Sequence, residues 1–480
     1  MNNRMLLDFI LGDINTKLNE DKNVIVDFEL GEYKFRSFYE LINNAAKMIC
    51  KLDSDIVAID MKNDIYFLSI ILAIWKSDKT AFILPCFLDE LEKNQIIKEN
   101  SIYYTVSLTR SDRKTNSSRF MIINQYQSNL NKKKVKENIL DNIAIIIPTS
   151  GTEGKYKYIS IDTISALNSI ETVIKNYDLP LEFMELIILP LSSASALFTQ
   201  ALTCLSLNIP IATMSSHYDP RSIFKMLKNY NVSLLASTPT IFRILLTSKK
   251  LIAFLNKIPY IYLGGEIVPN VLLDRIHELL PLPCIKILYG LTETIIPISG
   301  DLRSSIPPFS IGIPYKEFKI SINPIKNIDI GGEIIIESFE IKTSNYFGLY
   351  NENNMVNSEE PNKIYTGDLG YLDKDGNLYI TGRIKNIAII NGVNVSLEEV
   401  KNLLLSHKDV EDCYVYYEND SVNGNKILAN VISSNQILTQ SDIQQYLFSI
   451  TNSYKIPKKI IISSNVRLKG LGKIGRTKDE

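Results

Sequence analysis

The chain of 480 residues carries 52 Lys+Arg against 53 Asp+Glu, a formal net charge of −1, with 45% hydrophobic and 22% charged residues. This is a soluble globular composition, long enough for about three domains or for one large multilayer domain with a smaller appendage. Near-neutral charge argues against a general polyanion binder, so nucleic acid is not an expected partner.

Five cysteines (Cys50, Cys86, Cys204, Cys284, Cys413) lie without paired CxxC spacing beside only three histidines, His217, His277 and His407. The chain therefore reads as reduced and intracellular, with no zinc site. In residues 1–12 the apolar patch of Met5, Leu6, Leu7, Phe9, Ile10 and Leu11 is interrupted by Asp8, and no small-residue cleavage site follows. No signal peptide is read there. The longest apolar run, around 65–75, is well short of the roughly 18 residues that a membrane helix needs. The expectation is a soluble, cytoplasmic protein with no membrane partner.

The middle of the chain repeats one pattern: a short β-branched run, a turn signal, then a helical stretch. The runs at 56–59, 143–147, 186–189, 234–236, 261–263 and 285–288 read as buried parallel strands of an α/β architecture. From about Ile311 the character changes to short strands punctuated by glycine and asparagine, with a hairpin signal at Asp375-Gly376-Asn377. This predicts a small β-rich subdomain over about 311–384. Beyond Arg383 the order becomes strand, helix (397–405), strand (413–417), strand (427–432), helix (439–450) and strand (459–463), a compact α+β unit. The expected organisation is a large N-terminal domain, 1–384, and a small C-terminal domain, 385–480. The basic stretch 131–137 reads as a solvated connector.

Five segments carry the chemistry. Thr149, Ser150, Gly151, Thr152, Glu153 and Gly154 follow the 143–147 strand, with Lys157 just beyond. Such a loop can turn backbone N–H groups onto an anion, although its spacing is not that of a P-loop, and a polar turn after a buried strand reads equally well. Tyr289-Gly290-Leu291-Thr292-Glu293-Thr294 sets an aromatic, two hydroxyls and a carboxylate suited to magnesium within six residues, or else it is a helix-start turn. Asp368, within Tyr365-Thr366-Gly367-Asp368, suits ribose hydroxyls or an ordinary turn. Arg383, Lys385 and Lys473 stand in the charged segments Gly382-Arg383-Ile384-Lys385-Asn386 and Gly470-Leu471-Gly472-Lys473-Ile474-Gly475-Arg476.

In this order and over residues 143–476, together with Gly264-Gly265-Glu266 and Ile311-Gly312-Ile313-Pro314, these segments resemble the adenylate-forming superfamily. That superfamily comprises acyl-CoA synthetases, aryl- and fatty-acid AMP ligases, luciferases and the adenylation domains of nonribosomal peptide synthetases. The resemblance implies a fold of parallel α/β sheets with a small, mobile α+β C-terminal domain. It implies an enzyme using ATP and Mg2+ that joins a carboxylic acid to AMP, releases pyrophosphate, and passes the acyl group to a thiol.

On that resemblance, Thr149, Ser150, Gly151, Thr152, Gly154 and Lys157 hold the β- and γ-phosphates. Gly265, Glu266, Tyr289 and Gly290 frame the adenine, Thr292 lies near the α-phosphate, and Glu293 binds magnesium. Asp368 takes the ribose hydroxyls with the help of Arg383. Lys473 bridges the attacking carboxylate and the α-phosphate, and Lys385 is the hinge that swings the C-terminal domain between the two half-reactions. By position in the family, Ser193, Phe198, Leu263, Leu288, Ile296 and Pro297 line the acid pocket, although core packing accounts for such apolar residues equally well.

Several positions depart from the family pattern. The phosphate loop has Glu153, Tyr156 and Tyr158 at positions where the family has a hydroxyl, Pro and Gly, and Ser77-Asp78 replaces a pair of small residues. No carboxylate lies between Glu185 and Asp219 to pair with a substrate ammonium, so an aryl or acyl acid is expected rather than an α-amino acid. Residues 386–395 lack the lysines of many coenzyme A-using relatives, and the chain stops just after Arg476. The expected acceptor is therefore the phosphopantetheine of a separate acyl or peptidyl carrier protein, with coenzyme A as the alternative. A catalytically silent nucleotide-binding descendant is the reading from a different class.

Overall fold

The computed structural model describes residues 2–85, 88–109, 120–125, 142–149, 157–176, 184–214, 219–299, 310–325, 331–338, 346–347, 362–390, 392–420, 424–464, 468–469 and 473–474. Chain contacts divide it into two units. One comprises Met1–Ala236, Gly290–Ile298 and Ser338–Ile364, the other Ser237–Tyr289, Ser299–Glu337 and Tyr365–Glu480.

In the first unit, strand Ile56–Asp60 pairs in parallel with Thr80–Ile83 and with Tyr104–Thr109, and Thr80–Ile83 pairs in parallel with Ile143–Thr149. The expected parallel character holds at this centre. Toward the edges the pairing turns antiparallel, through Phe120–Gln125 on one side and through Lys157–Asp162 and then Tyr346–Phe347 on the other. A second parallel ladder joins Met184–Ile187 to Ile211–Thr213 and to Val232–Ser237.

The most apolar run of the sequence becomes helix Ile65–Lys76. Asp64 caps it by accepting from the N–H groups of Tyr66 and Phe67, satisfying two of the donors that a helix start leaves open. Its residues Ile65 and Phe67–Trp75 are buried, and Trp75 Nε1 donates to the Ala144 carbonyl at 2.7 Å. Apolar character all round thus marks a helix enclosed by the core. No described helix is long and apolar enough to cross a membrane.

The second unit contains the parallel pair Tyr260–Gly264 and Cys284–Leu288. It also holds a four-stranded sheet in the order Phe318–Pro324, Gly332–Ser338, Lys363–Leu372, Leu378–Arg383, which is the expected β-rich region. The hairpin between the last two strands is closed by Asp373, whose Oδ1 accepts from the N–H groups of Asp375 and Asn377. The stretch beyond Arg383 forms strands Ile387–Ile390, Val393–Ser396, Asp412–Asp420, Gly424–Ile432 and Lys459–Ser463. Helices Leu397–Leu405 and Gln440–Ile450 complete it around its own apolar core of Val400, Leu404, Val431, Ile443 and Leu447.

Candidate active site

In the first unit, the antiparallel pairing of Ile143–Thr149 with Lys157–Asp162 sets Thr149 directly across from Lys157. The candidate phosphate loop is therefore the connection of a hairpin, with Thr149 and Lys157 at its two roots. Ser150, Gly151, Thr152, Glu153, Gly154 and Tyr156 lie outside the described residues. Tyr158, one of the departures, is 3% exposed and packs its ring on Phe82 with centroids 4.6 Å apart. It fills the core beneath the strand. The Ser77-Asp78 departure has a similar structural use: Asp78 Oδ1 accepts from Asn3 N–H at 3.1 Å, and Asn3 Nδ2 donates to Lys79 O. Thr163 donates in turn to Asn3 Oδ1, tying down the N-terminal helix Asn3–Leu11.

Thr292, Glu293 and Thr294 form a single 3-10 turn. Thr294, 1% exposed, accepts from Leu291 N–H at 3.0 Å and locks the turn. The next residue, Ile295, stands at φ 66 and ψ −46, with Ile296 N–H donating back to Thr294 O at 2.7 Å. This is the strained kind of γ-turn, which a β-branched residue adopts only under constraint. It leaves Thr292 and Glu293 half-exposed beside a rigid bend. Gly290 fits the same bend because a Cβ there would lie 2.7 Å from Ile296 O.

Of the expected pocket residues in this unit, Ser193 uses its hydroxyl locally. It donates to Pro190 O at 2.8 Å and accepts from Ala196 N–H at 3.3 Å. Phe198 and Ile296 are buried at 0% and 1% exposure, and Pro297 is also buried. Asn63, not singled out in the sequence, anchors the turn before Ser193: its Nδ2 donates to Leu189 O and its Oδ1 accepts from Leu191 N–H at 2.7 Å. The helical stretch that follows, Ser195–Leu202, winds as a π-helix, a geometry that often marks functional sites.

In the second unit, Asp368 on Lys363–Leu372 faces Arg383 on Leu378–Arg383 in cross-strand register. Arg383 Nε lies 2.7 Å from Asp368 Oδ1, while Tyr289 Oη donates to Oδ2, also at 2.7 Å. Asp368 is 2% exposed. Its N–H is fixed by Thr366 Oγ1 at 3.0 Å, and Thr366 in turn donates to Ile334 O. Gly367 supplies the left-handed φ of 68 between them. Burial and the adjacent Asp368 carboxylate push the Tyr289 phenol well above its usual range, so it remains a donor.

Glu266 follows the strand Tyr260–Gly264 and Gly265, and its Oε2 accepts from Thr240 Oγ1 at 2.7 Å. Its Oε1 is buried without a partner, an open acceptor where the adenine is expected. Leu263 is fully buried and Leu288 half-buried. Lys385 is exposed in the single turn Ile384–Asn386 that joins Arg383 to strand Ile387–Ile390. Lys473 lies in the short strand Lys473–Ile474, paired antiparallel with Leu468–Lys469.

The sequence matches the AMP-binding enzyme family over residues 14–338. It is 27% identical over 459 residues to 2-succinylbenzoate–CoA ligase of Lactococcus lactis subsp. lactis (strain IL1403), covering 93% of this chain and 95% of that protein. Among solved structures, o-succinylbenzoate CoA synthetase of Bacillus subtilis, in complex with its acyl-adenylate intermediate, superimposes with a TM-score of 0.77 at 20% identity, covering 97% of this chain and 96% of that one. ATP-bound MatB of Rhodopseudomonas palustris gives a TM-score of 0.80 at 16% identity, covering 99% and 97%. These two likenesses are of fold. The chain thus belongs to the AMP-binding enzyme family, the adenylate-forming ATP-dependent ligases.

Proposed function

We propose that this protein activates an aryl or acyl carboxylic acid as its acyl adenylate, with release of pyrophosphate, and transfers the acyl group to coenzyme A. The observation that carries the first half is the buried Asp368 carboxylate, held by Arg383 and Tyr289, together with the open Glu266 Oε1. An adenine amine offers the donor that Glu266 Oε1 lacks, and ribose hydroxyls can add to the donors already on the Asp368 carboxylate.

The chemical difficulty is twofold: a carboxylate is repelled by an anionic triphosphate, and its carbonyl is inert toward thiols. Cations aimed at the phosphates remove the repulsion. Lys157 and the N–H groups of 149–154 serve the β- and γ-phosphates. Thr292 serves the α-phosphate, and Lys473 the entering carboxylate. Magnesium supplies further charge neutralisation when bound, and Glu293 is the residue to hold it. Lys385 then lets the 385–480 domain turn, withdrawing Lys473 and opening the adenylate to the thiol.

Coenzyme A is preferred as acceptor because the Lactococcus relative, similar over 93% of this chain, carries it in its name. A carrier-protein phosphopantetheine is the second reading, favoured by the lysine-free hairpin of Ile387–Ile390 and Val393–Ser396. Thioester formation from an activated acid is to be measured with coenzyme A and, separately, with a phosphopantetheinylated carrier protein. Turnover with coenzyme A at least as efficient as with the carrier is expected. Acylation of the carrier alone would reverse the choice.

A further inference from the structure

Helix Pro239–Leu245 starts at Thr238, whose Oγ1 accepts from Ile241 N–H, and it sets Thr240 and Arg243 three residues apart on one face. Thr240 donates to Glu266 Oε2 and accepts from Arg243 Nη2 at 3.4 Å. The same Nη2 pairs with Asp412 Oδ2, at the first residue of strand Asp412–Asp420, and these two side chains are only 11% and 8% exposed. Asp412 Oδ1 is engaged by Cys413 N–H at 2.7 Å. Arg243 Nε and Nη1, like Glu266 Oε1, are buried without partners. Lys401, on helix Leu397–Leu405, completes the cluster. Burial works to lower its pKa, but the Glu398, Asp412 and Glu266 carboxylates outweigh that and hold it raised.

A buried ion pair adds little net stability, because the desolvation of both charges offsets their attraction, and its best-attested use is to fix a register or a switch. Here one partner comes from 237–289 and the other from the 385–480 stretch. Separating them returns both charges to water, so the contact is readily reversible, as an apolar seam is not. Its polar chain also runs, through Thr240, to the carboxylate expected at the adenine.

We infer that Arg243 and Asp412 form a latch that docks residues 385–480 in the orientation seen here and couples that docking to nucleotide at Glu266. Both are positioning residues. The half-reaction part of this inference rests on the acid activation proposed above. With nucleotide engaging Glu266 Oε1, the carboxylate is drawn from Thr240, the hydroxyl oxygen is freed to accept more strongly from Arg243 Nη2, and the hold on Asp412 changes.

The test compares the full-length protein with Arg243→Asp, Asp412→Arg, the reversed double variant and Arg243→Lys. Adenylate formation is measured as pyrophosphate release, and acyl transfer is measured separately from supplied acyl adenylate. Amide hydrogen exchange over 239–245 and 397–420 is followed with and without AMP. Each charge-reversed single variant is expected to shift the ratio of the two rates by roughly tenfold or more, to speed exchange in both segments and to abolish the AMP effect on exchange. The double variant restores the ratio, and Arg243→Lys, which keeps the charge, retains part of it. Equal loss of both half-reactions, unchanged exchange, or a double variant no better than the singles would overturn the latch. Should the wild type form neither adenylate nor thioester, the proposed activity fails. The exchange measurements need no turnover and still decide the latch, with Arg243→Lys as the variant least at risk of misfolding.

Discussion

Asp368 is gripped at both oxygens, by Arg383 at 2.7 Å and Tyr289 at 2.7 Å, and its place in the strand is set by Thr366 and Gly367. Replacing it with Asn removes a charge-assisted acceptor, an effect of about 1.5–3 kcal/mol, or roughly ten- to hundredfold in nucleotide affinity. Calorimetric titration with ATP checks this; unchanged affinity would remove Asp368 from the ribose role. Tyr289→Phe should cost less, about 1 kcal/mol, because the aromatic face remains. Lys473→Ala should lose adenylate formation by ~10²-fold or more while still transferring acyl from supplied adenylate, and pyrophosphate release against thioester formation separates the two effects. Asp368, Arg383 and Glu266 could be singled out as candidates because each sits in a short glycine-bearing segment. Arg243 and Asp412 were not, since the pair is separated by 169 residues and neither lies in a local pattern.

At the scale of single elements, β-branched runs identified the buried strands, and Asp375-Gly376-Asn377 identified the hairpin. The antiparallel edges of the first sheet were not legible, because a buried strand reads alike in either direction. The strained turn at Ile295 and the π-helix Ser195–Leu202 follow from tertiary packing, and no propensity signals them. Gly290→Ala puts a Cβ 2.7 Å from Ile296 O. It should destabilise by about 1–3 kcal/mol in thermal unfolding and disturb Thr292 and Glu293 with it. Beneath the π-helix, Glu185 is buried on strand Met184–Ile187, accepts from Cys204 Sγ at 2.8 Å, and is pushed up to about 8 by burial. The folded protein therefore keeps a proton that the unfolded chain releases above 4.5. This contribution to stability is present in full below 4.5 and falls by about 1.4 kcal/mol per pH unit until the folded group ionises near 8. Glu185→Gln should flatten that decline in denaturant unfolding measured from pH 5 to 8. An unchanged slope would show that Glu185 is ionised in the folded state.

For the molecule as a whole, composition excluded nucleic acid and zinc chemistry as expectations, and the order of five individually weak segments carried the family. The tyrosine and serine-aspartate departures found structural uses: Tyr158 fills the core against Phe82, and Asp78 anchors Asn3. If residues 385–480 turn about Lys385, then Lys385→Pro should spare pyrophosphate release and cripple thioester formation, and equal loss of both would argue against a hinge there. The central claim is acid activation, and its most direct test is acid-dependent pyrophosphate release from ATP and magnesium, with hydroxylamine trapping the adenylate. The panel should span aryl, short-chain, long-chain and amino acids. Release driven by an aryl or acyl acid, with the matching hydroxamate formed, is the predicted result. Bound ATP with no release for any acid would contradict the claim, and release driven by an α-amino acid would contradict the assignment of the substrate class.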